Sequence, residues 1–384
     1  MKKIWPFSFY LLNFAAFASL IPFFVIFYQS LGFNGTQIGL LTGIPPLITL
    51  ICAPLGTGLA DSTRRHKLIM GIGLLAAVIM AILLPAFKSF AIIFIIVALY
   101  NILMAPVGSL ADSATMTMLG DEKEMYGRIR LGGTIGWGIF APIAGLLVQN
   151  YGLNIAFWLF AAMMLANVFV SRKFDFGKHE DHHTGNGGIS SLLMNRKWIY
   201  FLLGSFVGGV GAFSVASYLY PYMAELGATK TQMGIASLMA TMTEFPVFFF
   251  GNRLVKRFGS QSLFVASLGL MGIRSLLFAA ASTPLMVYAI QILGGMMFPA
   301  MWLAGVSYAE ENAPAGLKST AQGLFNAMSF GFGSAVGGFM GGILLESIGG
   351  RSMFLVLGMV ILISLLLIEG ARKMFPGRRV QETA

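Results

Sequence analysis

Apolar residues fill the chain in long runs that short polar stretches interrupt. From Ile4 to Ala60 no residue is charged, and several later runs of over twenty residues are equally free of charge. A helix needs about 20 apolar residues to cross the roughly 30 Å hydrocarbon layer of a bilayer. The pattern therefore predicts membrane-spanning helices. The first run is expected to stay as a helix, because the apolar character continues through later segments with no cleavage pattern.

Division of these runs at loop residues predicts twelve helices in two groups of six. The longest polar stretch, Arg172 to Lys197, separates the groups and contains a flexible glycine-rich run. We therefore expect an N-terminal bundle (1–172), a cytoplasmic linker (173–196) and a C-terminal bundle (197–384), an all-α membrane fold. The predicted helices lie near 6–28, 37–60, 68–87, 89–112, 127–148, 154–171, 198–223, 231–251, 261–281, 285–309, 319–344 and 352–369.

Composition and charge agree with lipid as the surrounding medium. Hydrophobic residues make up 57% of the chain and charged residues 10%, whereas soluble domains carry about 25% charged residues. The net charge of +10 is spread over short loops, which argues against nucleic-acid binding. With the amino terminus inside, 21 of the 25 Lys and Arg flank cytoplasmic loops, which predicts cytoplasmic termini in a cell (inner) membrane. Cys52 alone allows no disulfide within the chain.

Two short echoes indicate an internal repeat of about half the chain. The segment Ala144 to Gly152 matches Gly341 to Gly349 at a spacing of 197, and the loop Gly56 to Arg65 echoes Gly251 to Gly259. Because both members of each pair lie on the same predicted side, the halves are expected to be parallel repeats.

Motif residues in this repeat resemble the major facilitator superfamily. Gly58-Leu59-Ala60-Asp61, followed by Arg64 and Arg65, resembles the superfamily's loop motif after helix two. The resemblance implies two six-helix bundles related by a pseudo-two-fold axis, with alternating access to a site between them. It also implies that Asp61, Arg64 and Arg65 form a charged gate, and the alternative is a plain topology anchor.

A second motif resembles one branch of that superfamily. The run from Tyr126 to Trp137 resembles the Tyr-Gly-Arg-x-Arg pattern of nucleoside:proton symporters, phenylpropionate permeases and, more distantly, lactose permease. Gly132, Thr134 and Gly294 depart from the branch pattern, the last standing where many members carry His.

Charged residues inside the apolar segments are candidates for proton coupling or substrate binding, since such residues are costly in lipid. Asp112 in helix four has a depth similar to that of Arg128 and Arg130 in helix five. Protonation of Asp112 would release an arginine for a polar or anionic solute, and the alternative is a static salt bridge.

Helices eight and nine carry a second charged pair. Glu244 and Arg274 are offset by roughly 9 Å along the membrane normal, which strains a direct contact. Desolvation disfavours the charged form of a carboxylate at this depth. We expect Glu244 to serve as a proton site or as a substrate ligand.

The superfamily resemblance places the substrate cavity between helices one, four, seven and ten. Their polar and aromatic residues would suit a sugar, a nucleoside or an aromatic acid, although each one alone is more often a packing residue. These cavity-lining candidates are Asn13, Tyr28, Tyr100, Asn101, Tyr218, Tyr222, Gln291 and Trp302.

Other classes of function find little support in the sequence. His179-Glu180-Asp181-His182-His183 matches a zinc-protease pattern formally but lies in the linker, and no phosphate-binding loop is found. We therefore expect no metal, cofactor or enzymatic activity. The predicted function is proton-coupled symport by a monomer. The alternatives are a drug:proton antiporter, suggested by Ala141-Pro142 in helix five, and a receptor that binds a solute without moving it.

Overall fold

The computed structural model describes residues 3–177, 192, 194–314 and 317–375. Within these ranges, eleven helices are long and apolar enough to cross a bilayer. The zinc-protease pattern of the linker lies outside the described residues.

The first six helices are α1 to α6, and the next four are α7 to α10. The last continuous element, Lys318–Met374, would be about 86 Å long, which is more than two bilayer crossings. Gly349 breaks it at a positive φ of 74° that a residue with a side chain rarely adopts. We number its parts α11 (318–348) and α12 (350–374). The others are α1 Ile4–Ser30, α2 Gly35–Thr63, α3 His66–Ala86, α4 Phe90–Leu119, α5 Lys123–Tyr151, α6 Asn154–Ser171, α7 Arg196–Glu225, α8 Lys230–Phe258, α9 Ser260–Ala280 and α10 Pro284–Asn312.

Twelve crossings over the described residues bring the start of α1 and the end of α12 to the same side, here called the terminal face. The other side, where α2 and α8 begin, is the opposite face. The predicted all-α membrane fold is confirmed. Most helix bounds lie within a few residues of those expected from hydropathy, but α4 and α8 each run seven residues further toward the terminal face.

Glycines allow the closest helix pairs within each half. In α5, Gly132 and Gly136 lie directly against the α1 backbone at Phe7 and Leu11. In α11, Gly333 and Gly337 lie against Phe206 and Val210 of α7, with an ideal Cβ only 2.6 Å from either carbonyl oxygen. A side chain at these positions would force the helices apart, since small residues permit close packing in lipid.

The two halves meet at the opposite face. In α2, Gly39 and Gly43 lie against Phe339 and Ala335 of α11. Gly145 of α5 lies against Lys230 of α8 in the same way. Every hydrogen bond that crosses between the halves of the described chain also lies in the opposite-face portion. The structure is therefore closed at the opposite face, and the halves part toward the terminal face.

Candidate functional site

A polar cluster on the N-terminal half contains the first predicted pair. Arg130 Nη1 lies 3.3 Å from Asp112 Oδ2 and donates to the Tyr126 hydroxyl at 2.7 Å. The Tyr10 hydroxyl donates to Asp112 Oδ1 and lies 3.5 Å from Thr115 Oγ1. The Arg130 guanidinium lies over the Tyr10 ring, 6.0 Å from its centroid. Three helices, α1, α4 and α5, thus contribute to one cluster.

Helix geometry explains why these residues meet. Tyr10, Asp112 and Arg130 each lie about 10 Å in from the terminal end of their helix, counted at 1.5 Å per residue from Ile4, Leu119 and Lys123. The side chains of Asp112 and Arg130 are 39% and 48% exposed, so the ion pair is accessible rather than enclosed within the bundle. Arg128 is also exposed, and the Asp112 pairing in the structure is made by Arg130.

The exposure of this pair limits its contribution to folding. An ion pair near water contributes about 0–1 kcal/mol, because solvent screens it and the side chains lose freedom. A pair of this strength can break and re-form during a transport cycle. The cluster is therefore better suited to exchanging protons or partners than to holding the bundle together.

The face of α5 that carries Arg130 continues toward the middle of the membrane. Tyr126, Arg130 and Trp137 are spaced by four and seven residues and share one side of the helix. Trp137 is half-buried. Trp137 was not among the candidates drawn from the sequence, although its spacing from Arg130 could have indicated it.

The halves begin to part beside Trp137. The next residue, Gly138, lies against Thr241 of α8, with an ideal Cβ 3.3 Å from Thr241 Cγ2. Glu244 follows Thr241 by one helical turn toward the terminal face and is half-buried. Trp137 and Glu244, from different halves, therefore lie where the cleft begins, and we call this place the cleft apex.

Arg274 pairs with a different side chain from the one considered in the sequence. Its guanidinium donates to Gln291 Oε1, and Gln291 Nε2 donates to the Ala236 carbonyl oxygen at 3.2 Å. Glu244 and Arg274 make no direct salt bridge within the described chain. They lie about 21 Å and about 9 Å in from the opposite face along their own helices, and the two charges still interact electrostatically.

The Arg274 guanidinium is buried and fills the space beside Gly294. An ideal Cβ on Gly294 would overlap the guanidinium, and the ring of Phe278 lies 5.1 Å from Arg274 Cζ. Arg274 Nε has no hydrogen-bond partner among the described residues. The glycine at this position, a departure from the branch pattern, thus makes room for the arginine.

Two of the predicted cavity residues are buried among other side chains in this structure. Tyr28 is enclosed by the Phe24, Phe27 and Phe33 rings. The Tyr222 hydroxyl donates to the Phe278 carbonyl oxygen. Their place on the cavity wall stays a prediction.

Tyr218 belongs to the closed interface at the opposite face. Its hydroxyl donates to the Gly338 carbonyl oxygen and lies 2.9 Å from Thr42 Oγ1 of the other half. Thr42 Oγ1 also donates to the Gly338 oxygen at 3.0 Å. Tyr218 thus joins α7, α11 and α2 in this structure, and its place on the cavity wall stays a prediction.

The remaining cavity candidates divide by exposure. Asn13 and Gln291 are buried, and Asn13 Oδ1 has no partner among the described residues. Tyr100, Asn101 and Trp302 are half-buried, although Asn101 donates back to the Val97 oxygen of its own helix. Trp302 packs on the Phe325 and Phe330 rings.

The loop motif after α2 lies at the terminal face. Asp61 Oδ1 and His66 Nε2 are 2.8 Å apart, and the His66 ring stacks on Phe176. Arg64 has a left-handed φ of 56° that ends α2, and both Arg64 and Arg65 are exposed. The gate role of these residues stays a prediction.

Known proteins resemble the chain over nearly its whole length. Residues 4–356 match the model of the MFS_1 like family. The maltose permease of Geobacillus stearothermophilus is 26% identical over 380 residues, or 98% of this chain and 96% of the permease. The putative nucleoside transporter YegT of Escherichia coli (strain K12) is 24% identical over 338 residues, or 82% and 78%. A variant of the nucleoside transporter NupG has a similar structure, with a TM-score of 0.85 at 18% identity over 96% of this chain and 99% of that one.

These relatives are transporters rather than enzymes, and they confirm the resemblance seen in the motif residues. The chain is a multi-pass membrane protein that transports a small solute. Because the family match spans most of the sequence, the assignment does not depend on one motif. The chain belongs to the MFS_1 like family of major facilitator transporters.

Proposed function

We propose that the protein is a proton-coupled symporter of a small polar ring solute, a sugar or a nucleoside, that works by alternating access. It acts as a monomer in the cell (inner) membrane with both termini in the cytoplasm. The observation that carries the proposal is the half-exposed cluster of Asp112, Arg130 and Tyr126 inside a membrane-spanning bundle.

Proton coupling follows from the charge balance of this cluster. With Asp112 ionised, Arg130 is held by the carboxylate and by the Tyr126 hydroxyl. A proton on Asp112 removes the attraction and frees guanidinium N–H groups to donate to solute hydroxyl or carbonyl oxygens. Solute and proton then bind together, and loss of either one restores the pair. Glu244 at the cleft apex is a second carboxylate candidate for the proton.

The choice of a ring solute follows from the aromatic wall. Trp137 continues the Arg130 face of α5 toward the cleft apex, and Trp302 is half-buried on α10. A tryptophan face packs well against a sugar ring or a nucleobase, while nearby polar groups fix its orientation. The maltose permease and the nucleoside transporters among the relatives are consistent with these two solute classes.

Counterflow in proteoliposomes tests the solute class. Vesicles preloaded with unlabelled maltose, other glycosides, nucleosides, aromatic acids or lipophilic cations are diluted into trace labelled solute. Transient accumulation with a sugar or a nucleoside supports the proposal. Counterflow with lipophilic cations alone would favour a drug:proton antiporter, and saturable binding without any counterflow would indicate a receptor.

A further inference from the structure

The closed interface at the opposite face contains two helix ends that are each bonded by the other half. The Gly35 backbone N–H, at the start of α2, donates to Glu346 Oε2 of α11 at 2.6 Å. The Lys230 backbone N–H, at the start of α8, donates to Gln149 Oε1 of α5 at 2.8 Å. In both places, the last turn of one helix supplies a side-chain oxygen to the first turn of a helix from the other half.

These two contacts are related by the internal repeat. Gln149 and Glu346 occupy matching positions of the repeat at a spacing of 197. The helix starts also match, since Leu31 to Gly39 and Leu226 to Gly234 share the pattern Leu-Gly-x-x-x-Thr-Gln-x-Gly at a spacing of 195. The two cross-half contacts are therefore equivalent under the pseudo-two-fold relation.

Local capping explains why these backbone groups depend on the other half. The first turn of a helix has backbone N–H groups with no partner inside the helix. At both sites a capping box satisfies two of them, formed by Asn34 with Gln37 and by Thr229 with Gln232. The N–H of the first helical residue is left over, and the cross-half side chain accepts from it. Separation of the halves at this face would break that bond.

The two contacts differ in charge. Gln149 is neutral at every pH, whereas Glu346 is a carboxylate that interacts with the positive end of the α2 dipole. The first turn of α2 offers Glu346 no titratable side chain. Nearby on the C-terminal half, Glu225 accepts from the Gly350 N–H at 2.8 Å, and Arg351 donates to the Ala281 oxygen at 3.1 Å.

We infer that Glu346 and Gln149 are paired gate residues of the opposite face, and that their side-chain oxygens stabilise its closure by accepting from the first turns of α2 and α8. The Glu346 carboxylate adds a charge–dipole interaction to its hydrogen bond, so it contributes more to closure than Gln149 does.

Pulsed electron paramagnetic resonance measures this equilibrium directly. Spin labels attached through Lys88→Cys and Ser282→Cys in the Cys52→Ser background report the separation of the halves, since both sites are exposed loop positions at the opposite face. The open fraction is recorded in nanodiscs at one fixed, neutral pH for the wild type and each variant. Loss of one charge–dipole interaction should raise the open-to-closed ratio roughly two- to fivefold.

Exchange of the two side chains tests this inference. Glu346→Gln keeps an oxygen acceptor but removes the charge, and it should raise the open fraction. Gln149→Glu should lower the open fraction, because it adds a charge at the start of α8. Asp121→Asn, which removes an exposed loop carboxylate outside both contacts, is the matched control and should keep the wild-type open fraction. A wild-type open fraction in Glu346→Gln, or an equal rise in Asp121→Asn, would overturn the assignment, whatever the fate of the proposed proton coupling.

Discussion

Replacement of Asp112 by Asn separates proton coupling from the movement of the solute. The amide can still accept from the Tyr10 hydroxyl, but it carries no charge to hold Arg130 and no proton to release. We therefore expect the variant to exchange solute across the membrane without concentrating it. The proposed mechanism assigns to this one carboxylate the link between the pH gradient and the solute gradient.

The size of the effect follows from the driving force. One pH unit corresponds to about 1.4 kcal/mol per proton, so a symporter moving one proton per solute accumulates the solute about tenfold across that gradient. Asp112→Asn should give a ratio of about one. Because the ion pair is half-exposed, its loss should cost folding only about 0–1 kcal/mol, so the variant should remain folded.

The assay uses proteoliposomes with an imposed pH gradient and no membrane potential. Uphill accumulation and counterflow are measured on the same preparation, and Asp121→Asn, an exposed loop residue outside the cluster, is the matched control. The expected result is loss of accumulation with counterflow retained in Asp112→Asn alone. Wild-type accumulation in this variant would refute the role given to Asp112.

Three further variants test other parts of the structure. Gly39→Ala should push α2 away from the α11 backbone and raise the open-to-closed ratio of the opposite face by about fivefold or more, since overpacking costs about 1–3 kcal/mol. Gly58→Ala, in open space on the same helix, is the control, and equal spin-label distances in both variants would contradict the packing argument. Trp137→Leu should weaken the apparent affinity for a ring solute by about tenfold, whereas Trp137→Phe should retain most of that affinity. An equal counterflow KM in both variants would show that Trp137 is not part of the solute site. Gln291→Leu should lower the free energy of unfolding by about 2–3 kcal/mol, because the buried Arg274 loses its hydrogen-bond acceptor. Gln291→Glu keeps an acceptor, so equal melting temperatures for the two variants would show that the contact contributes little.

Hydropathy and charge are enough to predict the spans, because lipid requires long apolar helices whatever their packing. The pairing of Asp112 with Arg130 could also be predicted from the sequence, since depth along a helix follows from residue count. The direction that each helix faces could not be predicted, because it depends on contacts between helices that a single apolar segment does not encode. Tyr28, Tyr218 and Tyr222 were therefore chosen by residue type and helix alone, and their side chains are buried in this structure.

Two signals in the sequence could have taken the prediction further. Trp137 lies seven residues after Arg130 and therefore on its face of the helix. The repeated Leu-Gly-x-x-x-Thr-Gln-x-Gly pattern, at Leu31 and at Leu226, marks the two helix starts that meet the other half. Residue spacing could not predict which side-chain oxygens accept from the N–H groups at these helix starts, since Glu346 and Gln149 approach them only when the halves close together.

The central claim, that solute and protons move together, is tested most directly by proton flux into proteoliposomes loaded with a pH dye. The solute identified by counterflow is added outside in the absence of any imposed gradient. The account predicts acidification of the vesicle interior that starts with the addition of solute and is absent in Asp112→Asn. Solute uptake without acidification would contradict proton symport, and alkalinisation of the interior would instead indicate exchange of solute for protons.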